Sequence, residues 1–217
     1  MKYIKYLSLL LLAFAHASCD SHIDVPDTSR KIGHILCADG STISLDKYDS
    51  KKQTAIGVVF YLNHDDNVEG EGYAVYLHDL HPYAFADSLG VKQGTSADLY
   101  AFDGNENTYA LLNARETKSP MAEAVFDIWH GGRSAYIPSV GQMRLMLSAK
   151  EMVNPVLLRL GCEPLAESED DCWYWTSTEV KGQEYLKAWL YSTNSGSIQE
   201  TPKWQSHKAR PIITLNK

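Results

Sequence analysis

The chain has 217 residues, 44% apolar and 11% aromatic, with 27 acidic against 20 basic side chains and a net charge of −7. Such a composition belongs to a globular protein of one or two domains and excludes a disordered or low-complexity chain. The acidic balance argues against nucleic acid as a partner, because that requires a basic surface to displace counterions from phosphates.

Residues 1–18 open on Lys2 and Lys5, run apolar from Leu7 to Ala15 apart from Ser8, and close on Ala17 and Ser18. Charge, length and order are those of a secretory signal peptide, and the apolar run is roughly half of what a membrane-spanning helix needs. Cys19 follows the small residues directly, which resembles the lipobox of bacterial lipoproteins. That resemblance implies cleavage before Cys19, acylation of its thiol and amine, and attachment to a membrane through several acyl chains. Loss of residues 1–18 removes two lysines and no acid, taking the net charge from −7 to −9. Residues 19–31, which carry Ser, Asp and one Pro without apolar periodicity, read as lipid anchor and flexible tether. A single domain is expected over residues 32–217.

Ile32 to Cys37 is apolar and ends in Ala38-Asp39-Gly40-Ser41, a hairpin signal. Ala55 to Leu62 is β-branched and aromatic, the pattern of a strand buried on both faces. After the acidic turn Asn63–Glu71, Gly72 to Leu80 reads as a third strand. The polar loop Asp103–Asn107 leads into a short helix over Thr108–Leu112. Ser119-Pro120 caps a helix that places Met121, Val125, Ile128 and Trp129 on one face and stops at Gly131-Gly132. Ser139 and Gln142 form a capping box for a helix with Met143, Met146 and Leu147 inward. Asn154-Pro155 is expected to start a third helix, ended by Gly161. Strands follow over Trp173–Val180, Tyr185–Tyr191 and His207–Leu215, with a turn at Asn194-Ser195-Gly196. Strands, then helices, then strands predict an α+β domain with a mainly antiparallel sheet and a helical middle.

Three segments then carry a resemblance: Tyr136-Ile137-Pro138-Ser139-Val140-Gly141-Gln142-Met143-Arg144-Leu145, Tyr174-Trp175-Thr176-Ser177-Thr178-Glu179, and Ala209-Arg210-Pro211-Ile212. They resemble signatures of secreted bacterial domains similar to the C-terminal domain of Legionella collagen-like adhesin, which are abundant in Bacteroidales lipoproteins. Ile32 to Gly40 and Ala55 to Tyr61 are similar to the opening strands of those lipoproteins. The resemblance covers residues 32–217 and implies a C-type-lectin-like fold, distantly similar to formylglycine-generating enzymes. The motif residues themselves read as architecture: a helix entry at Pro138-Ser139, alternating faces along Tyr174–Glu179, a core role for Trp175, and Arg210 paired with a carboxylate such as Glu179.

The chemistry of the relatives constrains the function. Formylglycine-generating enzymes carry a catalytic cysteine pair near the C-terminal end of the fold, and here no cysteine follows Cys172. Gly-x-Ser-x-Gly and His-Glu-x-x-His motifs are absent as well. Cys162 and Cys172 flank an acidic loop and are expected to form a disulfide worth roughly 2–3 kcal/mol, with Cys37 left as a buried thiol. His34/Cys37 and His78/His81 hold zinc-ligand types, but residues three apart on a strand point to opposite faces. Neither metal nor cofactor is expected. The resulting reading is an outer-membrane lipoprotein, facing the cell surface or the periplasm, that acts as a non-catalytic binding or adhesion module for glycan, matrix or a protein partner. The alternatives are an enzyme of the formylglycine-generating type and a structural subunit of a surface assembly. Candidate contact residues are Trp129, His130, Arg133, Trp173, Lys203, Trp204 and His207, since exposed aromatics beside polar groups suit sugar rings and protein hot spots.

Overall fold

The computed structural model describes residues 29–64, 70–130 and 132–216. The signal peptide, Cys19, most of the tether and the side chains of His130 and Arg133 lie outside the described residues. Among the described residues no helix is long and apolar enough to cross a membrane.

Among the described residues, two five-stranded sheets, one two-stranded sheet and four helices form an α+β arrangement whose sheets are mainly antiparallel. β1 (Ile35–Cys37) and β2 (Thr42–Ile43) form the expected hairpin, where Gly40 takes the positive φ of 87° that a side chain would resist. β3 (Ala55–Leu62) lies between β1 and β4 (Gly72–Tyr76), and its residues alternate between two cores. Val58 and Phe60 enter one core, while Ile56 and Val59 enter the other across a bulge after Val59. A strand buried on both faces is what its unbroken apolar run predicts.

The third predicted strand is shorter than its pattern. It ends at Tyr76, and residues 77–79 turn the chain into β5 (Leu80–Ala84), which belongs to the second sheet. Arg210 fixes that crossing: its guanidinium donates to Asp79 and to the carbonyls of Tyr76 and Leu77 at 3.2 Å each. Two further donors reach Glu163 O at 3.0 Å and Pro164 O at 3.3 Å. The expected Arg210–Glu179 pair does not form; Glu179 binds Lys203 instead.

The helical middle holds α1 (Gly104–Asn113), α2 (Pro120–Phe126), α3 (Val140–Ser148) and α4 (Lys150–Arg159). The α1 helix starts four residues before its predicted start at Thr108, and its first residue must be glycine. A Cβ on Gly104 would come within 2.3 Å of Gln142 Oε1 and 2.6 Å of Ile137 O. Ser119 caps α2, which buries Met121 and Val125 but ends before Ile128 and Trp129 can join that face. On α3 the predicted capping box is present in both directions. Gln142 also ties three segments together, accepting from Gly104 N and donating to Phe102 O and Tyr136 Oη. Helix α4 begins at Lys150, so Pro155 lies inside it and Asn154 is no cap. The Asn154 amide is instead buried, exchanging two hydrogen bonds with the Leu165 backbone at 3.1 and 2.9 Å.

β6 (Trp129–His130) and β7 (Arg133–Ser134) form a small separate hairpin. The second sheet has the order β10, β9, β8, β11, β5, built from β8 (Trp173–Glu179), β9 (Lys187–Ser192), β10 (Ile198–Pro202) and β11 (Ser206–Ala209). β8 and β11 run parallel through Lys208 and Tyr174. The predicted last strand is in fact two, because Pro211 has no N–H to donate and the chain changes sheets there. β12 (Ile212–Leu215) then completes the first sheet beside β4. Along β8, Tyr174 enters the core under α3 and α4, while Trp175 enters the one lined by Leu111, Met121 and Val125.

The expected disulfide is not formed. Cys37, Cys162 and Cys172 are all free thiols. Cys172 is buried with its Sγ 3.2 Å from Ser192 Oγ, whereas Cys162 lines a groove with Leu77 and Arg159 just beyond α4. The intervening residues turn Cys172 into the sheet, so the two thiols occupy different environments. Burial pushes the Cys162 thiol above its usual value, with Arg210 opposing, and it likewise raises that of Cys37.

Candidate functional site

The predicted contact residues do not converge on one place. Trp129 is 60% exposed on the β6–β7 hairpin, where the backbone register pairs His130 with Arg133. Trp173 is half-buried at the start of β8 and packs against the second core. His207 on β11 is also half-buried; its ring stands edge-on to Trp175 at 5.3 Å, and burial lowers its pKa. Trp204 is 59% exposed in the turn between β10 and β11.

Lys203 contradicts its assignment as a ligand contact. It is fully buried, and its ammonium pairs with the equally buried Glu179. Gln93 Oε1 accepts from Lys203 Nζ at 3.3 Å, and the Phe85 ring lies 5.3 Å from it. Glu179 in turn accepts from Gln93 N at 3.1 Å and Thr95 Oγ1 at 3.0 Å. Both charges are thus paired and hydrogen-bonded, the condition under which burial is tolerated. Burial draws the Lys203 pKa down, and Glu179 opposes that shift.

This inward post explains the outward aromatic beside it. The Lys203 backbone accepts from Phe85 N and Ala86 N and donates to Leu186 O at 3.0 Å. With residue 203 fixed on both sides, Trp204 emerges at the surface. Leu186 and Tyr185 are exposed, as is Leu89, and Gly90 N donates to Tyr185 O at 2.9 Å. Lys92 covers the Tyr185 ring at 4.9 Å and lies 3.4 Å from the Glu184 carboxylate. Leu89, Tyr185, Leu186 and Trp204 are thus exposed apolar side chains on segments joined by these backbone hydrogen bonds, with Lys92 and Glu184 beside them, the composition of a binding patch. Of these, only Trp204 was singled out by the sequence. Tyr185 and Leu186 were hidden in a predicted strand that actually begins at Lys187.

A second feature lies where residues 97–100 meet the second sheet. A cleft of about 580 Å³ is lined by Asp98, Leu99, Tyr100, Lys181, Trp189 and Glu200, among others. Tyr100 is 76% exposed yet held: its N–H donates to Asp98 Oδ1 at 2.8 Å, and the Arg144 guanidinium lies 4.9 Å from its ring centroid. Arg144 also donates to Leu99 O at 2.5 Å. Glu200 stands directly across the β9–β10 ladder from Trp189 and accepts from Lys187 and Gln183, which lowers its pKa. The Trp189 indole N–H is buried without an acceptor among the described residues, an arrangement that costs about 1–3 kcal/mol. No sequence motif marks this cleft.

The class of fold is therefore an α+β unit with two mainly antiparallel sheets closed over a helical middle. The chain matches no protein-family model and no curated protein. It is similar to the crystal structure of a fimbrial protein from Bacteroides ovatus, with TM-score 0.67 and 17% identity over 85% of this chain and 49% of that one. The chain spans about half the length of that protein, and at this identity the likeness is one of fold.

Proposed function

We propose that the chain is a non-catalytic binding or adhesion module of the bacterial surface, anchored in the outer membrane by lipid on Cys19. The observation that carries this reading is the apolar surface around Trp204, which protrudes from a rigid buried support. Trp and Tyr at such a site supply most of an interface's affinity. The lipobox-like sequence at Ala17-Ser18-Cys19 supports export and anchoring, and the resemblance to adhesin C-terminal domains supports a C-type-lectin-like role. The fold likeness to a protein described as fimbrial is in keeping with a surface role.

The test presents the purified chain to immobilised mucin, collagen and fibronectin. Wild type is expected to be retained on at least one of them. Trp204→Ala should weaken that retention by about 2 kcal/mol, with its melting temperature unchanged. Retention on none of the three would end the adhesion reading. The fimbrial likeness favours one second reading, a structural subunit of a surface assembly. It predicts concentration-dependent self-association that Trp204→Ala abolishes in sedimentation, without retention on any of the three surfaces.

A further inference from the structure

We infer that the cleft between residues 97–100 and the β9–β10 ladder is a metal-independent subsite for one neutral pyranose unit of a glycan. The inference rests on the reading of the chain as a binding module but uses a place distinct from the Trp204 surface. Tyr100 carries the argument. A tyrosine ring that is 76% exposed would ordinarily be free to turn, yet this one is fixed from below. The Asp98 carboxylate holds its N–H, and Arg144 holds both its ring and the Leu99 carbonyl. One face is thereby occupied by a guanidinium and the ring is held as a platform at the cleft. Aromatic faces of this kind pack on the apolar C–H face of a sugar ring.

The polar groups around the platform match hydroxyls better than charges. Asp98 and Glu200 contribute two carboxylates, the second already paired with Lys187, while Lys181 and Arg144 contribute cations, so neither sign of charge dominates the cleft. A polyanionic ligand meets the carboxylates, and a polycationic one meets Lys181 and Arg144. Neutral vicinal hydroxyls can both donate to a carboxylate oxygen and accept from the Lys181 ammonium, which has no ion-pair partner among the described residues. Trp189 forms part of the same lining. Among the described residues no group of three or more His, Cys, Asp or Glu is placed to hold a metal ion.

The experiment applies the full chain, in buffer containing EDTA, to an array of neutral oligosaccharides ending in hexose, N-acetylhexosamine or fucose, beside sialylated and sulfated counterparts. At least one neutral structure should be captured. Its affinity should fall at least tenfold in Tyr100→Ala and measurably in Lys181→Ala, while Leu158→Ala, an exposed change on α4, binds as wild type. Capture of sialylated or sulfated structures alone would overturn the assignment, as would no capture, abolition by EDTA, or normal binding by Tyr100→Ala. If Tyr100→Ala lowers the melting temperature, Tyr100→Leu together with Lys181→Ala decides the matter. Loss of glycan capture with Trp204-dependent retention intact removes the cleft alone, whereas loss of both removes the binding-module reading.

Discussion

Lys203 and Trp204 are neighbours in one turn, yet one has no exposed surface and the other is 59% exposed. Beneath the turn, Lys203, Glu179, Gln93 and Thr95 are joined in one buried polar network, in which only the Gln93 Nε2 lacks a partner among the described residues. Above it, Trp204, Tyr185, Leu186 and Leu89 expose their apolar side chains. The contrast teaches that the first region spends its polar groups on position and thereby leaves the second free for a partner. A charged residue in a loop is therefore no better a candidate for binding than its apolar neighbour until its burial is known.

The largest expected effect comes from breaking the lower region. Lys203→Met strands the Glu179 carboxylate without its cation and should cost about 3–5 kcal/mol in chemical denaturation. Combining it with Glu179→Gln should recover a large part of that loss, since the unpaired charge is then gone. A double-variant loss equal to the sum of the two single-variant losses would show that the two residues are not coupled. Next comes the other buried cation. Arg210→Lys keeps the charge for Asp79, but one ammonium cannot serve the carbonyls of Tyr76, Leu77, Glu163 and Pro164 together. A loss of about 2 kcal/mol is expected in the same assay, and an unchanged midpoint would remove the clamp from the account.

A smaller effect concerns pH. Burial lowers the His207 pKa in the folded state, so the unfolded chain takes up a proton first as pH falls. Stability should drop as pH passes below the unfolded value of about 6.5 and level off once it is below the folded value. His207→Gln should flatten the change in melting temperature between pH 7.5 and 5.0, and an identical slope would exclude His207 as its source. The smallest effect is the sharpest test of the comparison. Trp204→Ala should leave stability within about 0.5 kcal/mol of wild type. A drop comparable to that of Lys203→Met would mean that Trp204 belongs to the architecture.

Much of the architecture was legible because it rests on local rules. The β1–β2 hairpin, the doubly buried β3 and the Ser139–Gln142 capping box each follow from spacing and residue type within a few positions. The errors arise where a distant partner decides. Gly72 to Leu80 reads as one strand until Arg210, over a hundred residues away, bends it at Asp79. Likewise Asn154-Pro155 reads as a helix start, but the Asn154 amide is engaged by Leu165 and the helix begins earlier. The Cys162–Cys172 pairing failed for a related reason, since proximity in sequence says nothing of the direction in which each thiol points. Candidate binding residues were the least legible. Tyr100 and Trp189 become neighbours in one cleft only through tertiary packing, and nothing in their local sequence distinguishes them from core aromatics.

The placement of β11 and β12 has a consequence for the order in which the molecule can be assembled. Residues 206–215 provide an interior strand of the second sheet and an edge strand of the first. Until they are available, β5 has no strand to join it to β8, and Asp79 lacks Arg210. On a ribosome adding about 5–20 residues per second, everything before residue 206 emerges as two unfinished halves that share no completed second sheet. A nascent chain arrested at that point should remain open to proteases along β5, and closure should follow the emergence of β11 and β12.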